Sequence, residues 1–137
     1  MNNLENLNIL ITGASGGIGT SLSRAFASSK ANLFLIGSSP DKISRLQEEL
    51  PSRDNINYFS VDLSERENVN NFCESIIDQY GGINVIINNA GITDDNLFMR
   101  MSENSWDKVF AINIDASMII CRKFIRGMVK NKWGRII

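Results

Sequence analysis

The sequence predicts an α/β fold in which helices cover both faces of a doubly wound sheet of parallel strands. Short apolar runs rich in β-branched residues recur along the chain, and segments with helical spacing of apolar residues separate them. The resulting order, β-α-β-α-β-α-β-α-α-β, is typical of parallel strands joined by right-handed crossovers. With 137 residues and 43% hydrophobic content, we expect one domain over residues 1–137 with one continuous sheet.

Five segments are predicted as strands. Each is short and nearly free of polar residues, as expected where both faces of a parallel sheet are covered. They are residues 7–12 (LNILIT), 32–37 (NLFLIG), 56–61 (INYFSV), 83–88 (INVIIN) and the terminal RII. The last strand begins at Arg135, so we expect a sheet that is truncated at the start of its fifth strand.

The helices are predicted from apolar spacing and from their first residues. Residues 17–30 carry one apolar face, formed by Ile18, Leu22, Ala25 and Phe26. Residues 40–50 begin with Pro40 after Ser39, which is typical of a helix N-terminus.

Residues 64–80 begin with Ser64 and Glu67 at the spacing of a capping box. The longest helical pattern covers residues 103–132. We expect an interruption at residues 112–115 (INID), because Asn and Asp are unfavourable inside helices.

Composition excludes several classes of protein. The 14 basic and 15 acidic residues leave a net charge of −1, so no overall field indicates a nucleic-acid or membrane partner. No run approaches membrane-spanning length and no basic leader opens the chain, so we expect a cytoplasmic protein. Histidine is absent, which excludes Ser-His-Asp and Cys-His catalysis and His-ligated zinc; no metal site is predicted. Cys73 and Cys121 are interpreted as reduced core thiols.

The first predicted strand is followed directly by TGASGGIG, residues 12–19, and then by a helix. Gly13 permits a sharp turn, Gly17 lets the backbone approach a phosphate, and Gly19 lets the helix pack on the strand. The helix N-terminus then offers N–H groups and a positive dipole to a pyrophosphate. The loop therefore predicts dinucleotide binding. Its spacing matches neither GxGxxG nor a P-loop, since no GK[ST] follows.

The end of the second strand bears on the choice of cofactor. An Asp or Glu here would bind the ribose 2′-hydroxyl of NAD, but the sequence reads LIGSSPDK. Gly37, Ser38 and Ser39 leave room and hydroxyl donors for a 2′-phosphate, and Lys42 adds positive charge. NADP(H) is therefore favoured, although no arginine is present beside the loop or after this strand. Ser39 is open to a second interpretation, as a helix cap alone.

The pattern Thr12-Gly13-x-x-x-Gly17-Ile18-Gly19 resembles the short-chain dehydrogenase/reductase family, and later motifs extend this resemblance over essentially the whole chain. It implies a Rossmann-type fold. Cofactor contacts are implied for Thr12, Gly13, Ser15, Gly17, Ile18, Gly19 and Ser38. The VDLS and NNAG motifs add Asp62 for the adenine amine, Leu63, Asn89, Ala90 and Gly91.

The segment from NNAG onward is similar to the 3-oxoacyl-acyl-carrier-protein reductases of bacterial fatty-acid synthesis. The resemblance implies NADPH-dependent reduction of a 3-oxoacyl thioester, an acyl carrier protein as partner, and a homotetramer with Trp106, Phe110 and Phe124 at subunit contacts. It also implies that Asn113 is a catalytic residue that holds a water in a proton relay. Six basic residues and no acidic one lie in residues 116–137, a pattern that fits either a solvated helix face or an acidic carrier.

The family's proton donor lies in a YxxxK pattern, supported by a serine beyond the fifth strand. Tyr58 and Tyr80 both fail this pattern. We therefore expect the 137 residues alone to be marginally stable and inactive, and the activity to belong to a longer parent protein. Two alternatives remain: a short-chain reductase of another ketone or alcohol, and a catalytically silent dinucleotide-binding module.

Overall fold

The computed structural model describes residues 4–137, which form one five-stranded parallel sheet with helices on both faces. The spatial strand order is β3-β2-β1-β4-β5, and all four pairings are parallel. The strands are β1 Asn8–Ile11, β2 Asn32–Gly37, β3 Ile56–Ser60, β4 Val85–Ile87 and β5 Arg135–Ile136. The predicted fold class and all five predicted strands are confirmed.

Five α-helices connect the strands, and no helix in residues 4–137 is long and apolar enough to cross a bilayer. A π-helical segment, Ala111–Asp115, joins the last two helices and confirms the interruption expected near residues 112–115. A 3₁₀ turn, Phe98–Arg100, precedes them. The α-helices are α1 Gly17–Ala27, α2 Pro40–Glu49, α3 Arg66–Tyr80, α4 Glu103–Phe110 and α5 Ala116–Lys130.

Alternate side chains of the strands enter two separate apolar layers. In β1, Leu10 packs with α3 and α5 on one face, while Ile9 and Ile11 pack with α1 and α2 on the other. All three side chains are fully buried. This alternation is the expected consequence of covering a pleated sheet on both sides. The strand order reverses at β1, which has β2 on one side and β4 on the other.

The predicted capping box of α3 is wrong. The residue before the helix is Glu65, and no side chain caps its first turn. The Ser64 hydroxyl donates instead to the Asp62 carboxylate at 2.7 Å, and the Ser64 N–H donates to the same oxygen at 2.9 Å. Because the Ser64 hydroxyl binds the Asp62 carboxylate, it does not cap the first turn of α3.

The first helix is shorter than predicted, and only part of its predicted apolar face packs on the core: Leu22 and Phe26 do so, whereas Ala25 is exposed. The helix ends at Ala27, after which the Ser29 hydroxyl donates to the Phe26 carbonyl. Ile18, assigned to the apolar face, is 72% exposed, whereas Gly19 and Ser23 are buried against the sheet. Gly19 and Ser23 are small enough to let α1 lie close to the sheet, and Ile18 lines the cavity instead.

The long helical segment has a buried face and an exposed apolar face. Phe124 and Met128 are buried in the layer shared with α3. Phe124 therefore cannot contribute to a surface contact, and its expected place at a subunit contact is wrong. Trp106 and Phe110 stack at 4.7 Å between ring centroids and remain partly exposed.

Candidate cofactor site

A cavity of about 510 Å³ lies at the carboxyl ends of the strands, where the strand order reverses between β1 and β4. Ligands of doubly wound sheets bind at this position because the loops diverge there. Four segments line it: the glycine loop, the end of β2 with the first turn of α2, the turn after β3, and the chain after β4. The lining residues are Gly13, Ser15, Gly16, Gly17, Ile18, Gly19, Gly37, Ser38, Lys42, Asp62, Leu63, Asn89, Ala90, Gly91, Ile92 and Ile112.

Two glycines of the loop are required by the packing. Gly13 has φ of +63°, and a methyl group on it would lie 2.9 Å from the Ala90 Cα atom. A methyl group on Gly19 would overlap the carbonyl oxygen of Gly13. Neither position accepts a side chain, so the loop brings the end of β1, α1 and the chain after β4 into direct contact.

Gly17, the third glycine of the loop, borders open space in the cavity. A methyl group on Gly17 would meet no atom within 4 Å, although Gly17 lines the cavity as the first residue of α1. No side chain caps this turn, because the residue before it is Gly16. The first N–H groups of a helix have no partner within the helix, so this open cradle fits a pyrophosphate.

Thr12 supports the loop from behind the cavity wall. It is 2% exposed and does not line the cavity. Its hydroxyl accepts from the backbone N–H groups of Asn89 and Ala90 at 3.1 and 3.0 Å. The family resemblance implies a cofactor contact for Thr12. In the structure its hydroxyl instead connects the end of β1 to the chain after β4.

The amide of Asn89 completes this connection. Its Nδ2 donates to the carbonyls of Thr12 and Gly13 at 3.0 and 3.2 Å. The neighbouring Asn88 performs the same task on the other side of β4, since its backbone N–H and its side-chain Nδ2 both donate to the Ile137 carbonyl. The two asparagines of NNAG thus join β4 to both of its neighbours.

Asp62 presents an ionised carboxylate at the turn after β3. Hydrogen bonds from the Ser64 hydroxyl and backbone N–H lower the pKa of Asp62, and the positive charge of Lys108 adds a smaller effect in the same direction. Asp62 is exposed and lines the cavity beside the buried Leu63. Such a carboxylate can accept a hydrogen bond from an exocyclic amine.

The end of β2 offers hydroxyl and ammonium groups. Ser38 and Lys42 are exposed and line the cavity, and Gly37 has no room for a side chain because a methyl group there would lie 2.6 Å from the Ser15 Oγ atom. The Ser39 hydroxyl accepts from the Lys42 backbone N–H at 3.4 Å. Ser39 is therefore a helix cap, which supports the second interpretation of this residue.

Asn113 lies in the π-helical segment and binds the backbone of Ile92 at both ends of its amide. Its Oδ1 accepts from the Ile92 N–H and its Nδ2 donates to the Ile92 carbonyl, both at 2.9 Å. A π-helical turn alters the backbone pairing of the helix around this residue. The side chain thus holds Ile92 in the cavity wall.

Three residues that line the cavity had no role predicted from the sequence, namely Gly16 of the glycine loop, Ile92 and Ile112. Ile92 follows NNAG directly, and that proximity was the available signal for it. Ile112 precedes Asn113 and shares its π-helical segment, so an interruption of the helix was the only signal for this residue. Tyr58 and Tyr80 do not line the cavity.

Comparison with known proteins agrees with this architecture. The family model for short chain dehydrogenase matches residues 7–137. The chain is 32% identical over 130 residues to the 3-oxoacyl-[acyl-carrier-protein] reductase FabG of Aquifex aeolicus, covering 93% of this chain and 52% of the relative. It is 36% identical over 128 residues to nodulation protein G of a Rhizobium species, covering 93% of this chain and 51% of the relative.

A solved structure gives the same result. A metagenomic short-chain oxidoreductase in complex with NADP superposes with a TM-score of 0.90 at 26% identity, covering 98% of this chain and 61% of that one. The chain spans about half the length of the curated relatives it matches. A family model that extends over nearly the whole chain, together with these relatives, shows that the chain belongs to the short-chain dehydrogenase family of oxidoreductases.

Proposed function

We propose that this chain forms the cofactor-binding part of an NADP(H)-dependent reductase that converts a 3-oxoacyl group on an acyl carrier protein to the 3-hydroxyacyl form. The observation that carries the proposal is the cavity at the strand reversal. It combines an open glycine cradle, an ionised carboxylate at Asp62 and a wall fastened by Asn89 and Asn113. NADPH supplies the hydride for such a reduction.

The binding roles follow from the chemistry of the lining groups. The first turn of α1 binds the pyrophosphate through backbone N–H groups, and Gly17 leaves the space for it. Asp62 accepts from the adenine amine. Ala90 and Gly91 allow close approach of the cofactor to the chain after β4.

The preference for NADP(H) is supported by the charges near the end of β2. Ser38 donates to the 2′-phosphate and Lys42 attracts it, while no carboxylate takes the place that would bind a free 2′-hydroxyl. The NADP complex of the metagenomic oxidoreductase is consistent with this preference. Asp41 also lies in the first turn of α2 but does not line the cavity.

The substrate is inferred from the relatives named 3-oxoacyl-[acyl-carrier-protein] reductase. An acidic carrier fits the basic end of α5, where Lys130 and the following Lys132 are exposed. In the full-length protein, charge reversal of both lysines is expected to raise the Michaelis constant for acetoacetyl-acyl carrier protein at low salt. An unchanged constant would contradict this docking role.

A homotetramer is part of the proposal, with a revised contact surface. An apolar stripe runs along α4, the π-helical segment and α5. Its exposed members are Trp106, Phe110, Ile114, Met118, Ile125 and Val129. Such an exposed apolar stripe is typical of a surface that another subunit covers.

The decisive experiment measures the full-length protein with two cofactors and two substrates. We expect NADPH oxidation with an acetoacetyl thioester, a slower rate with NADH, and a slower rate with a simple ketone of similar size. A faster rate with the simple ketone would exclude the 3-oxoacyl substrate, but the protein would still be a reductase. If the protein bound neither NADPH nor NADH, both the 3-oxoacyl substrate and the reductase activity would be excluded.

A further inference from the structure

Two ion pairs join α3 to the long helical segment that ends in α5. Arg66 Nη2 lies 2.6 Å from Asp115 Oδ2, and Lys123 Nζ lies 2.7 Å from Glu74 Oε1. Both pairs are partly exposed and have similar geometry. They differ in position, because the first pair lies at the end of α3 that borders the cofactor cavity and the second lies more than two turns farther along.

The Arg66–Asp115 pair connects two walls of the cavity. Arg66 is the first residue of α3 and directly follows the turn that carries Asp62 and Leu63. Asp115 is the last residue of the π-helical segment, two positions after Asn113. Each partner is therefore within four residues of a group that lines the cavity or supports its wall.

The support continues from Asn113 to the chain after β4. Asn113 holds the backbone of Ile92 by two hydrogen bonds of 2.9 Å, and Ile92 lines the cavity together with Gly91. A shift of the π-helical segment would consequently move this wall. A π-helical turn interrupts the regular i→i+4 pairing of the helix around it and is rare, so contacts from outside the helix help to fix its position.

The placement of Arg66 is unfavourable on local grounds. A positive charge in the first turn of a helix opposes the helix dipole, and α3 has no side-chain cap to offset it. The carboxylate of Asp115, which lies inside the long helical segment, compensates this charge. Glu65 and Glu67 supply the negative charge that the dipole of α3 favours, so the dipole does not account for an arginine between them, whereas a connection to the π-helical segment does.

We propose that Arg66 and Asp115 are positioning residues: their ion pair holds the π-helical segment in place, and through Asn113 and Ile92 it holds the cavity wall after β4. The Glu74–Lys123 pair has no such connection and serves as the matched control. The part of this inference that concerns cofactor affinity rests on the proposed function, whereas the part that concerns the wall does not.

The test compares Asp115→Asn with Glu74→Gln in the purified full-length protein. Amide hydrogen exchange at Ile92 reports the opening of the Asn113–Ile92 contact without any cofactor. We expect Asp115→Asn to accelerate this exchange about two- to five-fold, the size of change that a partly exposed ion pair supports, and Glu74→Gln to leave it unchanged. The dissociation constant for NADPH should rise by a similar factor in Asp115→Asn alone.

Further variants separate positioning from general stability. Arg66→Met should reproduce the faster exchange at Ile92, and Arg66→Lys should restore it. The double variant Arg66→Met/Asp115→Asn leaves no unpaired charge, so it keeps the fold and should resemble the single variants. Unchanged Ile92 exchange in Asp115→Asn, or an equal acceleration in Glu74→Gln, would overturn the inference. Faster Ile92 exchange in a protein that binds no NADPH would sustain it while the proposed function fails.

Discussion

Gly17 and Gly19 lie two residues apart at the start of α1, yet an added methyl group meets different surroundings at each. At Gly19 it overlaps the Gly13 backbone, which cannot move without breaking the loop, whereas at Gly17 it enters open space. We expect Gly19→Ala to lower the free energy of unfolding by about 3 kcal/mol or more. Gly17→Ala should leave it unchanged or raise it by up to about 1 kcal/mol.

The same two variants separate folding from binding. Because the space at Gly17 is the space proposed for the pyrophosphate, Gly17→Ala should weaken NADPH binding at least about tenfold while the protein stays folded. Urea denaturation and fluorescence titration with NADPH measure the two effects. Tight binding by a folded Gly17→Ala protein would contradict the role of the cradle.

The carboxylate of Asp62 provides a prediction about pH. Hydrogen bonds from Ser64 lower its pKa in the folded protein, so this contact contributes stability above the unfolded pKa and loses it as pH falls through the folded one. Ser64→Ala removes the hydroxyl donor, and the pKa of Asp62 should rise toward its ordinary value. NMR titration of the Asp62 side chain measures the shift, and Ser60→Ala, which leaves Asp62 untouched, is the control.

At the scale of helices, the first turn of α2 separates a structural serine from a proposed binding serine. The Ser39 hydroxyl caps the helix, and the exposed Ser38 lines the cavity. Ser39→Ala should lower the free energy of unfolding by about 0.5–2 kcal/mol. Ser38→Ala should leave stability unchanged and weaken binding of NADPH more than that of NADH. If Ser39→Ala weakened NADPH binding and Ser38→Ala lowered stability, Ser39 would be the contact to the 2′-phosphate.

Sequence patterns predicted the strands and most helices because these elements depend on local apolar periodicity. Helix ends were predicted less well, since competing hydrogen-bond partners decide them. At α3, Ser64 satisfies the capping pattern but binds Asp62 instead. The Ser39 hydroxyl, by contrast, accepts a hydrogen bond from the Lys42 backbone N–H, so the helix cap predicted there is confirmed.

At the scale of the whole molecule, the contacts missed by the sequence join distant segments. Arg66 and Asp115 are 49 residues apart, and Asn113 and Ile92 are 21 apart. No local pattern marks either pair, because the first depends on how α3 packs beside the long helical segment and the second on how that segment packs against the chain after β4. The glycine loop, by contrast, could be predicted because all of its glycines lie within eight consecutive residues, 12–19.

The buried thiol of Cys73 reports the stability of the entire fold. Burial raises its pKa to about 12, and the side chain lies in the apolar layer beneath α5, so a thiol reagent reaches it only when that layer opens. Cys121 is partly exposed and should react first. In a Cys121→Ser variant at pH 8, Cys73 should therefore react with a thiol reagent at a rate set by opening of the fold.

Cofactor binding should slow this reaction through linkage. A ligand at 100 times its dissociation constant stabilises the folded state by about 2.7 kcal/mol, so saturating NADPH should slow Cys73 labelling about 100-fold where reclosing outpaces labelling. The same concentration of NADH should slow it less, by the ratio of the two affinities. Because Cys73 does not line the cavity, direct shielding cannot produce this effect. Equal protection by NADH and NADPH would contradict the proposed preference for the 2′-phosphate, and labelling at the denatured rate would contradict the buried position of Cys73.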